Sequence, residues 1–600
     1  MNVITKDPTS TDGGYLRLTG GDYALIGTEG AIGGRIGDNV NARISFRTTD
    51  HDGYGKNIAT GNDIDTQHER AVRIKLEILP TDRLRILLSA DYARANDNYG
   101  VAWHYLGQAG PATAPSGVLL GGTITTSIRD VANDHDPLRD VKAWGTGATV
   151  TYDLGFGQLK SITAYRDTLS KVGVDLDATS FQLFSPFSII DDGRQFTEET
   201  QLTGKTEHIE WMVGLFYFNE KVHATAAAPV YNGLFFPPGY LAEGFFAGSG
   251  LKTDAEAAFS QITYHFTDAL SATVGARYSS ERKSVVDQNS FDVVTPAVLP
   301  YTAVFNPAFG TECSQAVQTS AAVCVPSKRW GSFTPKFGIQ YQVNQNTLLY
   351  ASATKGFRSG TYSLGAVQGA PVNPETVWSY ETGLKAKFFD NRLTTNLSAF
   401  YYKYSDLQVA EVNGTQTLLA NAAAARVKGV EAEIVVRPID PIRLDFSGSY
   451  LDARFRQFVS SDPARPAGDG TTLLNGSPAF NLAGNYLPQS PKFSFLAGAE
   501  HSLVSGIGHF TLRGEAAYSS RFYYDAFNRP EVSSAPRTRF NASLNYQSPD
   551  DRWTASLVGR NLANKVTSTN AFVTTALVGT MILGNIEPPR TIAATLGYRF

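Results

Sequence analysis

The chain ends on TIAATLGYRF, Thr591 to Phe600, where Ile592, Ala594, Leu596, Tyr598 and Phe600 alternate with Thr591, Ala593, Thr595, Gly597 and Arg599. This period of two makes a strand that is apolar on one face and closes on an aromatic residue. Chain ends in soluble proteins usually fray into water, so an aromatic tip on a one-sided strand is out of place there. A membrane barrel uses such a strand, because its last strand must pair with its first to remove both sheet edges. Taken alone, the stretch also fits a soluble sheet, and the upstream sequence has to separate the two.

The same split recurs along the chain. From Ala71 to Leu79, Val72, Ile74, Leu76 and Ile78 oppose Arg73, Lys75 and Glu77; after Pro80-Thr81-Asp82, Leu84, Ile86, Leu88, Ala90 and Tyr92 oppose Arg83, Arg85, Ser89 and Asp91. In HFTLRGEAAYSS, Phe510, Leu512, Gly514, Ala516 and Tyr518 oppose Thr511, Arg513, Glu515 and Ser519. A soluble sandwich could alternate in this way, but the connections argue otherwise. Every second one is short, among them Ile36 to Asn39, Pro80 to Asp82, Asp153 to Gly157 and Val504 to Gly508. Most of those between are long, such as Asn96 to Arg139, Lys283 to Arg329, Ser405 to Thr417, Arg454 to Gln489 and Asn564 to Pro589. Short turns at one end and long loops at the other are the rhythm of an outer-membrane barrel. The expectation is all-β: a transmembrane antiparallel up-and-down β-barrel of about 22 strands, with Phe600 at the short-turn end.

Composition agrees. Six hundred residues exceed one ordinary soluble core, yet periodic strands run from Gly13 to Phe600 without a linker. No apolar run approaches the roughly 18 residues of a spanning helix. With 52 basic and 56 acidic residues the net charge is −4, and no basic stripe suggests nucleic acid. The start, Met1 to Lys6, lacks a charged region followed by an apolar one, so either the sequence is a mature or trimmed piece or the gene start is wrong.

Several motifs together resemble the TonB-dependent receptors: NVITKDPT (Asn2 to Thr9), LLYASATKGFRSG (Leu348 to Gly360), NPETVWSYETGLKAKFFDNRL (Asn373 to Leu393), ARVKGVEAEI (Ala425 to Ile434), LVGRNLANK (Leu557 to Lys565) and EPPRTIAATLGYRF (Glu587 to Phe600). The resemblance implies a 22-stranded outer-membrane barrel closed by a plug and driven through TonB by the inner-membrane proton gradient. It makes residues 1–12 the end of a plug and its linker, and residues 13–600 the barrel. It implies capture of a scarce solute, foremost a ferric siderophore or similar iron chelate; a passive pore, or a receptor for an oligosaccharide, a cobalamin-like ligand or an aromatic compound, is the alternative. Tyr598 and Phe600 resemble the signal read by the barrel-assembly machinery.

Site residues follow. Arg73, Lys75, Arg83, Arg85, Arg513, Glu515 and Arg560 are expected to face the lumen and bond a polar plug, or to line a water-filled wall. Arg358 and Tyr362 lie where the resemblance implies a mobile binding loop, and an Arg there suits an anionic ligand. Loop aromatics offer contact area: Tyr99, Trp103 and Tyr105 beside His104; Tyr231, Phe235, Phe236 and Tyr240; Phe245 and Phe246; Tyr523, Tyr524 and Phe527. They equally fit an aromatic girdle or loops packed on one another. Cys313 and Cys324, in one outward loop, are expected to form a disulfide, with free thiols or a metal pair as alternatives. No nucleophile with its base and no His pair at metal-ligand spacing is found, so neither an enzyme nor a metal site nor a cofactor is expected.

Overall fold

A computed structural model describes residues 5–9, 11–110, 114–183, 186–229, 244–286, 290–293, 327–363, 371–413, 416–462, 464–474 and 476–600. One antiparallel sheet of 23 strands dominates. Ser290–Val293 is a short flap on the outer end of Gly244–His265, and the other 22 strands close on themselves. The first strand, Gly13–Gly21, pairs with the last, Thr591–Arg599, from Tyr15 opposite Arg599 to Gly21 opposite Ala593. The seam continues one residue further, since Gly14 N–H donates to the Phe600 carbonyl at 2.9 Å and Phe600 N–H to that of Gly14 at 3.1 Å. Glycine is needed there: a Cβ on Gly14 would meet the Phe600 ring at 2.6 Å. Tyr598 in turn packs between Trp553, tilted at 4.7 Å, and Phe600, stacked at 6.3 Å.

The faces are inverted relative to a soluble fold. On Gln67–Thr81, Ile74 is 51% exposed while its neighbour Lys75 is 9% exposed. Leu596, Leu512 and Leu18 are likewise exposed. An apolar outer wall around a polar interior is stable only where lipid replaces water outside. No helix among the described residues is long and apolar enough to cross a membrane; the strands do so.

Two belts of exposed aromatics bound the apolar wall. Tyr264, Phe266, Tyr341, Phe388, Trp553 and Phe600 ring the short-turn end; Tyr278, Phe333, Tyr380, Tyr401, Phe493 and Phe540 ring the other. Phe333 and Tyr341 are eight residues apart on one strand, about 20 Å along the barrel axis at a rise of ~3.3 Å and a tilt near ~40°. That spacing matches an apolar band about 25 Å tall. The sheet-borne belts, rather than the loop aromatics, form the girdles.

The alternation of short and long connections is as expected, with one revision. Leu393–Asn413 and Gln416–Ile439 carry their pairing outward through Asn413 opposite Gln416, so the stretch read as a loop from Ser405 to Thr417 is mostly strand. A bulge between Tyr404 and Leu407, with Asp406 at φ 56°, shifts the register and breaks the period-two pattern there.

At the short-turn end the amino-terminal segment enters the lumen. Lys75 Nζ donates to the Thr5 carbonyl at 3.1 Å and to Asp7 at 2.6 Å; Arg85 bonds Asp7 at 2.9 Å and Glu77 at 2.7 Å.

Candidate functional site

At the long-loop end the described loop residues form a packed layer with its own small cores. His104–Gln108, Phe572–Val573 and Met581–Gly584 make a three-stranded sheet that knits two distant loops. Leu183, Val578, Met581 and Leu583 form a core against which Trp103, Tyr105 and Phe572 pack. A second core takes Phe522, Tyr524, Val532 and Ile582, and a third takes Phe455, Phe458 and Leu482 with Phe527 at its edge. Tyr362 is 3% exposed, packed with Leu251, Val285 and Trp330. Tyr362 and Tyr524 are buried and hold loops together, and Trp103 and Tyr105 are half-buried against the first core, the loop packing that such aromatics also fit. Apolar area buried among loops outweighs its use at an open surface.

Beneath this layer, against the seam, the inner wall opens into a cleft of 560 Å³. Successive strands supply Ala517, Arg539 and Asn541, Val558 and Arg560, Thr591 and Thr595, Thr19, Glu29, and Arg47 and His51; the loop residues Tyr54 and Tyr99 complete it. His51 stacks on Tyr54 at 4.7 Å, and Tyr99 meets both rings edge-on at 5.5 and 6.2 Å. Arg139, held by Asp97 at 2.7 Å and Glu69 at 2.9 Å, lies over the Tyr99 ring at 5.7 Å. Burial pushes the Tyr54 and Tyr99 phenols up, so both remain hydrogen-bond donors at neutral pH. Glu29 is taken up by Tyr15 and Arg17, and Arg539 by Glu587. Among the described residues, Arg47 and Arg560 have no acidic partner within ion-pair distance, and both line the cleft. Two free guanidiniums beside aromatic rings and phenol donors suit a planar or multidentate anion.

The other expected residues are placed as follows. Arg358 ends Thr347–Arg358 with its side chain 63% exposed, 4.0 Å from Glu375. Tyr523 stacks on Tyr486 at 6.5 Å. Phe245 and Phe246 lie on Gly244–His265, their backbones opposite Ala228 and Ala227. Tyr231, Phe235, Phe236, Tyr240, Cys313 and Cys324 lie outside the described residues. Of the lumen charges, Arg73 sits 3.6 Å from Asp91. Arg513 forks onto Asp445 at 2.7 and 2.9 Å and bonds Glu515 at 2.8 Å. Arg83 falls in the short turn, exposed, because the strand begins at Leu84. Arg560 and Tyr99 were legible as candidates; Arg47, Arg539, His51 and Tyr54 were not, since only barrel closure brings strands from both chain ends to one wall.

The family described as "TonB dependent receptor-like, beta-barrel" matches residues 75–562. The chain belongs to the TonB-dependent receptors. It is 24% identical over 242 residues to the ferric-pyoverdine M114 receptor PbuA of Pseudomonas sp. (strain M114), covering 40% of this chain and 27% of that protein. To the metal-pseudopaline receptor CntO of Pseudomonas aeruginosa (strain UCBPP-PA14) it is 27% identical over 328 residues, 49% of this chain and 41% of that one. The chain thus spans less than half the length of these curated relatives. Its fold is that of the ferric yersiniabactin uptake receptor FyuA from Yersinia pestis, with a TM-score of 0.76 at 16% identity over 99% of this chain and 81% of that one. As a TonB-dependent receptor barrel the molecule sits in the bacterial outer membrane, short turns to the periplasm and long loops outward.

Proposed function

We propose that this barrel belongs to an outer-membrane receptor that captures a ferric siderophore or a similar anionic iron chelate and imports it with energy delivered through TonB. The observation that carries the reading is the seam-side cleft, where Arg47 and Arg560 stand without acidic partners beside Tyr54, Tyr99 and His51. Iron chelates of this class present carboxylate, catecholate or hydroxamate oxygens, which such donors recognise. The names of the relatives, receptors for ferric pyoverdine and metal-pseudopaline, support the same ligand class. All are transport receptors, and the barrel acts by binding rather than by catalysis.

Energy has to come from elsewhere, because the outer membrane holds no nucleotide supply and no proton gradient. Twenty-two strands enclose a lumen about 40 Å across, which is an open hole unless filled. Residues 1–12 are the end of a plug and its linker, and residues 13–600 the barrel. The anchoring of Thr5 and Asp7 by Lys75 and Arg85 supports this division, since it fixes where a preceding domain enters. The barrel-assembly machinery and outer-membrane lipid are the remaining partners. The test is uptake of radioactive iron by the host with and without the gene, chelate by chelate. Loss of uptake of one chelate on deletion, and on addition of a protonophore, is expected. Uptake that survives the protonophore would mean a passive pore.

A further inference from the structure

Three carboxylates from two outer loops converge in a buried site. Asp134 lies just before strand Leu138–Asp153, and Asp175 and Asp177 directly follow strand Gln158–Val174. One carboxylate oxygen from each lies within 4.8 Å of the other two. Asp175 and Asp177 are 1% and 0% exposed.

Each residue has one oxygen fixed and one free. Asp175 Oδ1 accepts the backbone N–H groups of Asp177 and Ala178, both at 3.0 Å. Asp177 Oδ2 accepts the Thr179 hydroxyl at 2.7 Å, and Asp134 Oδ2 is bonded to His135 Nδ1 at 2.7 Å. Asp175 Oδ2, Asp177 Oδ1 and Asp134 Oδ1 are buried and receive no N–H or hydroxyl donor from the protein, the Asp175 and Asp177 carboxyls lying within hydrogen-bond reach only of each other. A buried carboxylate oxygen with no donor is costly, and three negative groups this close also repel one another. Among the described residues the basic group bonded to the cluster is His135, already engaged on the fixed oxygen of Asp134. The backbone is held in place around them: Asp134 N–H donates to the Thr179 carbonyl at 3.1 Å, and Ala178 takes the left-handed φ of 48°. Gly117 of the short turn Ser116–Leu119 covers the group, a Cβ there falling 2.5 Å from Asp177 Oδ2.

We infer that Asp134, Asp175 and Asp177 form a calcium site that clamps the loop of residues 98–137 to that of residues 175–186. Calcium binds oxygen donors at about 2.3–2.6 Å, so two ligands of one ion lie at most about 5 Å apart, as the three oxygens do. An all-oxygen, irregular set on loops suits calcium, whereas magnesium demands near-octahedral geometry and gives up its water reluctantly. The clamp adjoins the core of Ala178, Leu183, Val578, Met581 and Leu583, so the ion sets the order of that corner of the outer layer.

The test is equilibrium dialysis of the full chain in detergent against Ca²⁺ and, separately, Mg²⁺, with limited proteolysis in parallel. Wild type is expected to bind about one Ca²⁺ with half-saturation between about 10⁻⁵ and 10⁻³ M. Calcium should slow cleavage within residues 98–137 and 175–186. D175N and D177N should each weaken binding at least about tenfold and abolish the protection. D134N carries the same expectation and, at a less buried residue, guards against variants that fail to assemble; far-UV circular dichroism verifies the barrel in each. No calcium bound by wild type at about 5 mM, binding unchanged in all three variants, or equal protection by Mg²⁺ would overturn the assignment.

Discussion

Replacing Leu596 by arginine reads which side of the wall meets lipid. Leu596 is 51% exposed on the closing strand, with Leu18, 53% exposed, beside it on the first. It lies four residues before the terminal Phe600, about 10 Å above the periplasmic rim at a rise of ~3.3 Å and a tilt near ~40°. That depth is near the middle of an apolar band about 25 Å tall, where an arginine facing lipid costs about 2–4 kcal/mol. Thr595, one residue away, points inward and shares a 2.9 Å hydrogen bond with Thr19. Arginine there reaches the aqueous lumen, and the variant loses little more than that bond, about 1 kcal/mol. Urea unfolding of L596R and T595R in phosphatidylcholine vesicles measures the difference. Equal losses, or a larger loss for T595R, would refute the sidedness on which every lumen assignment rests.

R513M should cost about 3 kcal/mol in the same titration, because Asp445 and Glu515 lose their shared guanidinium in a part-buried site; adding D445N should recover part of it, and strictly additive values would contradict the coupling. Burial opposes ionisation of Asp7, but hydrogen bonds from Lys75 and Arg85 outweigh it and hold the carboxyl below its ordinary value. The anchoring is then complete above about pH 4 and lost as pH falls through the lowered value, so a fluorophore on K6C should gain mobility only in acid; unchanged anisotropy down to about pH 2 would contradict this. Deleting Phe600 should lower the amount of assembled barrel more than it weakens ligand binding, and normal membrane levels would refute that. Reduction of the intact chain should add the mass of two hydrogens at Cys313 and Cys324, and an unchanged mass would exclude the disulfide.

What the sequence disclosed was what a two-residue period can carry. Val72 through Ile78 and Thr591 through Arg599 announce their faces because lipid and lumen impose opposite chemistries on adjacent residues. The closing strand's partner followed from the need to remove the sheet's edges. At Asp406 the reading failed, since one bulge resets the period and makes strand look like loop. The loops were harder, because a loop aromatic is equally at home in a packed core or a binding surface. Trp103 and Tyr105 went to a core whose other half, Met581 and Leu583, lies hundreds of residues away, and Tyr362 and Tyr524 went to cores assembled from other loops and strand ends. The Asp134, Asp175 and Asp177 cluster was hidden for the same reason, because the first of its ligands reaches the others only across a hairpin.

Equilibrium binding of a panel of ferric hydroxamate, catecholate and mixed-donor chelates to the full chain, read by tryptophan fluorescence, bears most directly on the receptor reading. Saturable binding of at least one chelate is predicted, weakened about 30-fold or more in the R47E/R560E variant, the equivalent of roughly 2 kcal/mol lost with two charge-assisted contacts. Absence of binding by every chelate, or an affinity unaltered by that charge reversal, would contradict it.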